Sequence, residues 1–131
     1  MMAEKRYNSV LLIDDSEIDN LYNKGIIEKN GFCKTITTST NAKQILEQFK
    51  KAAVSDLPDV VFLDIMMPEM DGFSFVEEFA KLSHEVHKKC RIVLLSSSDS
   101  FKDLNRANKN PFVRKFLNKP LTEKMVEAIY V

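Results

Sequence analysis

Four places in this sequence carry groups that could cooperate in one reaction: the pair Asp14-Asp15, then Asp64, Ser96 and Lys119. Each stands at or just past the end of a short apolar run: Val10-Leu-Leu-Ile13, Val60-Val-Phe-Leu63, Ile92-Val-Leu-Leu95, and Phe112-Val113 continuing to Phe116-Leu117. Brought together, they make three carboxylates, one hydroxyl and one ammonium. Clustered carboxylates repel one another strongly where water is scarce. Mg²⁺ is the natural counter-ion, being hard, oxygen-seeking and content with one or two carboxylates, waters and phosphate oxygens. Lys119 adds a further positive charge. The same set suits an aspartate that takes up a phosphoryl group. Asp64 can attack a phosphoryl donor as a nucleophile, while the metal and Lys119 stabilise charge on the transferred oxygens. The Ser96 hydroxyl can donate to one of those oxygens.

The elements that must position these groups are also readable. The apolar runs are rich in β-branched and aromatic residues and short enough for strands. Three are apolar at consecutive positions, which suits strands buried on both faces of a parallel sheet. Phe32 to Thr38 is a weaker strand whose threonines suggest an edge. Helical spacing fills the gaps. Ile18, Leu21, Tyr22, Gly25 and Ile26 form a first stripe, stopped by Asn30-Gly31. Ala42, Ile45, Leu46 and Phe49 form a second, and Phe75, Val76, Phe79 and Leu82 a third. Phe101 and Leu104 mark a short polar fourth helix over Asp99 to Asn108, ended by Asn110-Pro111. Met125, Ala128 and Ile129 mark the fifth, with Thr122 as N-cap. Five β-α repeats predict an α/β fold with a parallel sheet covered on both faces. Ligands of such sheets sit beyond the carboxyl ends of the strands.

Composition narrows the rest. With 131 residues the chain has room for one ordinary domain, residues 1–131. Apolar residues at 44% and charged residues at 29% suit a soluble globular chain. The net charge of zero gives no support for direct nucleic-acid binding. No apolar run approaches the ~20 residues that span a bilayer, and the N-terminus does not have the pattern of a signal peptide. Cys33 and Cys90 are far apart and form no CxxC, so two reduced, partly buried thiols in a cytoplasmic protein are expected. His84 and His87 are spaced i and i+3, whereas the helical zinc motif needs i and i+4. Both are expected to be solvated, near the end of the third helix.

Segments Leu11-Leu-Ile-Asp-Asp15, Phe62-Leu-Asp-Ile-Met-Met-Pro-Glu-Met-Asp-Gly72, Val93-Leu-Leu-Ser96 and Phe116-Leu-Asn-Lys-Pro120 resemble the signature blocks of response-regulator receiver domains, in the same order and across almost the whole chain. The resemblance implies a flavodoxin-like (βα)5 fold, a doubly wound five-stranded parallel sheet of strand order 2-1-3-4-5. It implies Asp64 as phosphoacceptor, Asp15 as direct Mg²⁺ ligand, Asp14 as ligand mainly through water, and the Met66 carbonyl as a further ligand. Lys119 would contact the phosphoryl group. Ser96 and Phe116 match the switch hydroxyl and switch aromatic, and Lys119-Pro120 is expected to be cis. Ser96 stands where threonine is common, and Phe116 where tyrosine is also common. Met66 and Ser98 match positions that tune dephosphorylation. Met66, Met67 and Met70 are accounted for by this resemblance rather than by a soft-metal site.

The resemblance further implies a histidine kinase or histidine phosphotransfer protein as donor in two-component signalling. Phosphorylation would alter the surface of the fourth helix, fifth strand and fifth helix, where a downstream protein binds. Such a receiver is a phosphoacceptor switch with slow self-dephosphorylation rather than an enzyme acting on other substrates. The chain ends at Val131, soon after the last helix begins, so it is either a stand-alone receiver or part of a longer protein. Phosphatases of the haloacid-dehalogenase kind share an aspartate nucleophile and Mg²⁺, but carry a second aspartate two residues later, where this chain has Met66. A receiver-like module that is never phosphorylated is the third reading. The complete acidic set argues against it.

Overall fold

The computed structural model describes residues 6–97 and 101–131. Five strands, β1 (Tyr7–Ile13), β2 (Cys33–Ser39), β3 (Val60–Asp64), β4 (Arg91–Ser96) and β5 (Val113–Asn118), pair in parallel in the order β2-β1-β3-β4-β5. The register sets Ile13 beside both Leu63 and Ser39, and Asp64 beside Leu95. The carboxyl ends therefore finish along one rim.

Successive residues of the central strands enter different cores. Leu11, Ile13, Val61, Leu63, Ile92 and Leu94 pack on one face, and Val10, Leu12, Val60, Phe62, Val93 and Leu95 on the other. This is why the runs are apolar without alternation. The first face is covered by α2 (Ala42–Lys51), α3 (Gly72–Phe79), α4 (His84–Lys89) and α5 (Phe101–Asn108). The second is covered by α1 (Glu17–Lys29) and α6 (Glu123–Glu127). β2 is an edge, as its threonines predict, with Lys34 and the threonines exposed. Gly31 takes a positive φ of 60° just past α1, the conformation expected of a stop. Thr122 caps α6 by accepting from the Met125 N–H.

The helices depart from expectation in three ways. There are six among the described residues, because the third stripe breaks after Phe79 and a separate helix, α4, starts from the Ser83 N-cap. Most of the stripe on α1 faces outward: Ile18 and Leu21 are 79% and 71% exposed and Tyr22 is also exposed, with Ile26 alone packing partly against the second core, while Asn20, Asn23 and Ile27 are buried. The inward side of α1 lies over the ends of β1 and β2, where backbone carbonyls can accept further donors. Asn20 Nδ2 supplies them, donating to the carbonyls of Asp14 (3.2 Å) and Ser39 (3.1 Å). Phe101 is likewise exposed rather than inward, and Ala107 is the buried residue of α5. Asp99, at the expected start of that helix, lies outside the described residues.

The amino-terminal edge of the sheet has its own brace. Asp59, just before β3, accepts from the amides of Asn8 (2.8 Å) and Ser9 (3.3 Å) and from Lys89. Nearby, His87 is not solvated as expected. Its ring packs between Phe79 and Phe112, and Nε2 lies 2.7 Å from the Phe79 carbonyl. His84 is exposed. Cys33 and Cys90 are both buried and neither is in a disulfide. Burial pushes the Cys90 thiol up to about 12. No helix of the described residues is long and apolar enough to cross a membrane.

Candidate functional site

Three strand ends build the acidic part of the site. Asp14 follows β1, its amide donating to the Ser39 carbonyl (3.1 Å) and its Oδ1 accepting from the Ser16 N–H (2.9 Å). Asp64 closes β3, and the next residue, Ile65, donates to Leu95 of β4 (3.0 Å). The Gly72 amide returns to the Ile65 carbonyl (2.9 Å), holding the start of α3 against this turn. A Cβ at Gly72 would lie 2.9 Å from the Asp64 carbonyl oxygen. Ser96 closes β4 and is buried; its carbonyl accepts from the Lys119 amide (2.7 Å). Lys119 follows β5, and the Lys119-Pro120 bond is cis, as expected.

Carboxylate oxygens of Asp14, Asp15 and Asp64 all lie within 4.8 Å of one another. Asp14 and Asp64 are buried, whereas Asp15 is exposed. Lys119 Nζ sits among the acids, 2.9 Å from Asp14 Oδ2, 3.0 Å from Asp19 Oδ2 and 3.5 Å from Asp64 Oδ1. The last is an ion pair too long to be a good hydrogen bond. Asp64 Oδ1 is consequently a buried oxygen without a hydrogen-bond partner among the described residues.

Electrostatics follow from this packing. Burial, and after it the charge of Asp14, pushes the Asp64 carboxyl up to about 6, against the pull of Lys119 and the Met66 N–H. Burial also raises Asp14, which Lys119 and the Ser16 amide partly offset. For Lys119, burial works downward, but the hydrogen bonds to Asp14 and Asp19 and the charge of Asp64 win and hold it above the usual ammonium range. The site is a nest of carboxylates short of positive charge. Hard oxygen donors, two of them buried, and an orphaned Asp64 oxygen fit a divalent cation such as Mg²⁺.

The structure thus brings together Asp14, Asp15, Asp64 and Lys119 at one rim, with Ser96 closing the adjacent strand. Met66 lies two residues past Asp64 in the following loop, with its side chain exposed. Phe116 is half-buried on edge strand β5 against the first core. Ser98 lies outside the described residues. Sequence reasoning missed Asp19 and Asn20. The signal was the Ser16-x-x-Asp19 spacing of a helix start. Ser16 does cap α1 through the Asp19 amide (3.2 Å), but the Asp19 carboxylate bonds Lys119.

Comparison with known proteins agrees with this geometry. The family described as "Response regulator receiver domain" matches residues 10–130. The chain is 32% identical over 88 residues to the chemotaxis protein CheY of Bacillus subtilis, a match covering 67% of this chain and 66% of that protein. It spans less than two thirds of the length of the curated relatives it matches first. Its structure is similar to a two-component response regulator from Cytophaga hutchinsonii, with TM-score 0.86 and 29% identity over 94% of this chain and 93% of that one. A response regulator receiver protein from Dyadobacter fermentans gives 0.81 and 27%, over 90% and 91%. With its five-stranded flavodoxin-like sheet and its acidic rim, this chain belongs to the response regulator receiver domain family.

Proposed function

We propose that residues 1–131 act as one receiver domain that accepts a phosphoryl group on Asp64 from a phosphohistidine of a histidine kinase or phosphotransfer protein. One observation carries this reading. The buried Oδ1 of Asp64, without a hydrogen-bond partner among the described residues, lies at the strand-end rim, 3.5 Å from Lys119 and within reach of Asp14 and Asp15.

Asp14, Asp15, Asp64 and the Met66 carbonyl would hold Mg²⁺, which when bound neutralises charge on the phosphoryl oxygens. In the step itself a carboxylate oxygen of Asp64 forms a bond to phosphorus as the phosphorus–nitrogen bond of the donor breaks. The imidazole nitrogen keeps the electron pair and is reprotonated. Lys119 pairs with a transferred oxygen, and the Ser96 hydroxyl donates to another. Water later attacks phosphorus, releasing inorganic phosphate and restoring the carboxylate. This slow self-dephosphorylation makes the domain a switch rather than an enzyme with a separate substrate.

The readout surface is α5, β5 and α6. Movement of Ser96 toward the phosphoryl group would open space for Phe116 to turn inward and change affinity for a downstream protein. The donor needs its own footing beside the rim. Exposed Ile18, Leu21 and Tyr22 supply one, on the helix that starts two residues after Asp15. Leaving such side chains in water forgoes about 2 kcal/mol each, and a contiguous apolar patch marks a contact surface. The balanced net charge and the lack of a membrane-spanning helix among the described residues agree with a cytoplasmic protein that binds proteins, not nucleic acid.

The test is intact mass after incubation with acetyl phosphate and Mg²⁺, for wild type and Asp64→Ala. A labile phosphoryl adduct on wild type alone supports the reading. A folded, Mg²⁺-bound wild type that takes no phosphoryl group, from acetyl phosphate or from a phosphohistidine donor, defeats it.

A further inference from the structure

Lys119 has three N–H donors and three carboxylates around it. Two donors meet their acceptors at hydrogen-bond distance, Asp14 at 2.9 Å and Asp19 at 3.0 Å, while Asp64 is left at 3.5 Å. The ammonium therefore leans toward α1 and away from the residue that is to be phosphorylated. Asp14 cannot be the whole cause, because it lies within the same cluster as Asp64. Asp19 is the acid outside that cluster. It sits in the first turn of α1, fixed from its backbone by the Ser16 cap, and its side chain is 47% exposed.

We propose that Asp19 is a positioning residue that holds the Lys119 ammonium on the α1 side of the rim and so restrains phosphorylation of Asp64. The inference rests on the phosphoacceptor reading above. To engage a phosphoryl oxygen on Asp64, Lys119 must exchange its bond to Asp19 for one to the incoming group. Asp19 also adds a fourth negative charge to a rim where, among the described residues, Lys119 is the cation paired with these acids, and the phosphoryl group makes that imbalance larger. A neutral residue at position 19 removes both obstacles. Because the Asp19–Lys119 pair is half-open to water, its hold is modest.

The experiment compares wild type, Asp19→Asn and Asp19→Glu by intact-mass time courses with acetyl phosphate at saturating Mg²⁺, and by calorimetric Mg²⁺ titration. Asp19→Asn is expected to phosphorylate about two- to fivefold faster, with Asp19→Glu returning to the wild-type rate and Mg²⁺ affinity changed by less than about threefold. In metal-free protein the side-chain ¹⁵N resonance of Lys119 should shift in Asp19→Asn and not in Asp19→Glu. An Asp19→Asn rate equal to or below wild type overturns the inference while leaving the phosphoacceptor reading intact. So does a loss of Mg²⁺ affinity beyond about tenfold, a factor worth 1.4 kcal/mol, since Asp19 would then be a metal ligand. A wild type that no donor phosphorylates overturns both.

Discussion

Gly72 packs so closely on Asp64 that a β-carbon at position 72 would stand 2.9 Å from the Asp64 carbonyl oxygen and 3.0 Å from the Ile65 Cα. Both neighbours are backbone and cannot rotate away. Gly72→Ala must therefore push the start of α3 off the turn that carries Asp64. A cost of about 1–3 kcal/mol is expected, with slower phosphorylation by acetyl phosphate. Chemical denaturation and the mass time course measure the two effects separately.

The buried acids should make the site costly to the fold. The folded-state value of Asp64, about 6, lies above its ordinary 3.8, so the native state keeps this proton to higher pH than the unfolded chain does. The stability this group contributes is present at low pH and falls as pH rises from about 4 to above about 6. Without metal at about pH 7.5, Asp64→Asn should be more stable than wild type by about 2–3 kcal/mol. Denaturation curves should show the gap closing by about pH 4, and Mg²⁺ should narrow it at neutral pH.

Asp59 should behave in the opposite sense. Burial works to raise it, but Lys89 and the amides of Asn8 and Ser9 prevail and lower it. Its contribution is thus present above the unfolded value and lost as pH falls through the folded one. Asp59→Ala is expected to cost about 2 kcal/mol at neutral pH, with phosphorylation kinetics unchanged. A denaturant series across pH checks both the size and the sign.

The outward face of α1 gives a prediction that separates donor docking from chemistry. Leu21→Glu should alter stability by no more than about 0.5 kcal/mol, because Leu21 is already exposed. Phosphorylation by acetyl phosphate should be unaffected, while transfer from a phosphohistidine-bearing protein should slow about tenfold. Parallel assays with the two donors make the comparison.

What the sequence revealed depended on whether one physical cause dominated. β1, β3 and β4 were legible because burial on two faces leaves little choice but continuous apolar residues. The rim was legible because Asp14, Asp64, Ser96 and Lys119 each stand at a strand end. On α1, periodicity pointed the wrong way: Asn20 and Asn23 are buried, and the carbonyls that Asn20 serves are set by the ends of β1 and β2. The break between α3 and α4 was hidden because Leu82 fits the helical stripe although it lies past the helix end. Asp19 was hidden because an acid in a first turn looks like an ordinary helix start.

Because all five strands run the same way, the edge bearing the Asp59–Lys89 brace lies opposite the edge bearing Asp64. The brace can therefore be altered without touching the acidic rim. An engineer seeking a hardier version should work around Asp59, Lys89 and His87. One seeking to alter the proposed phosphorylation of Asp64 should leave that edge alone and work among Asp19, Met66 and Lys119.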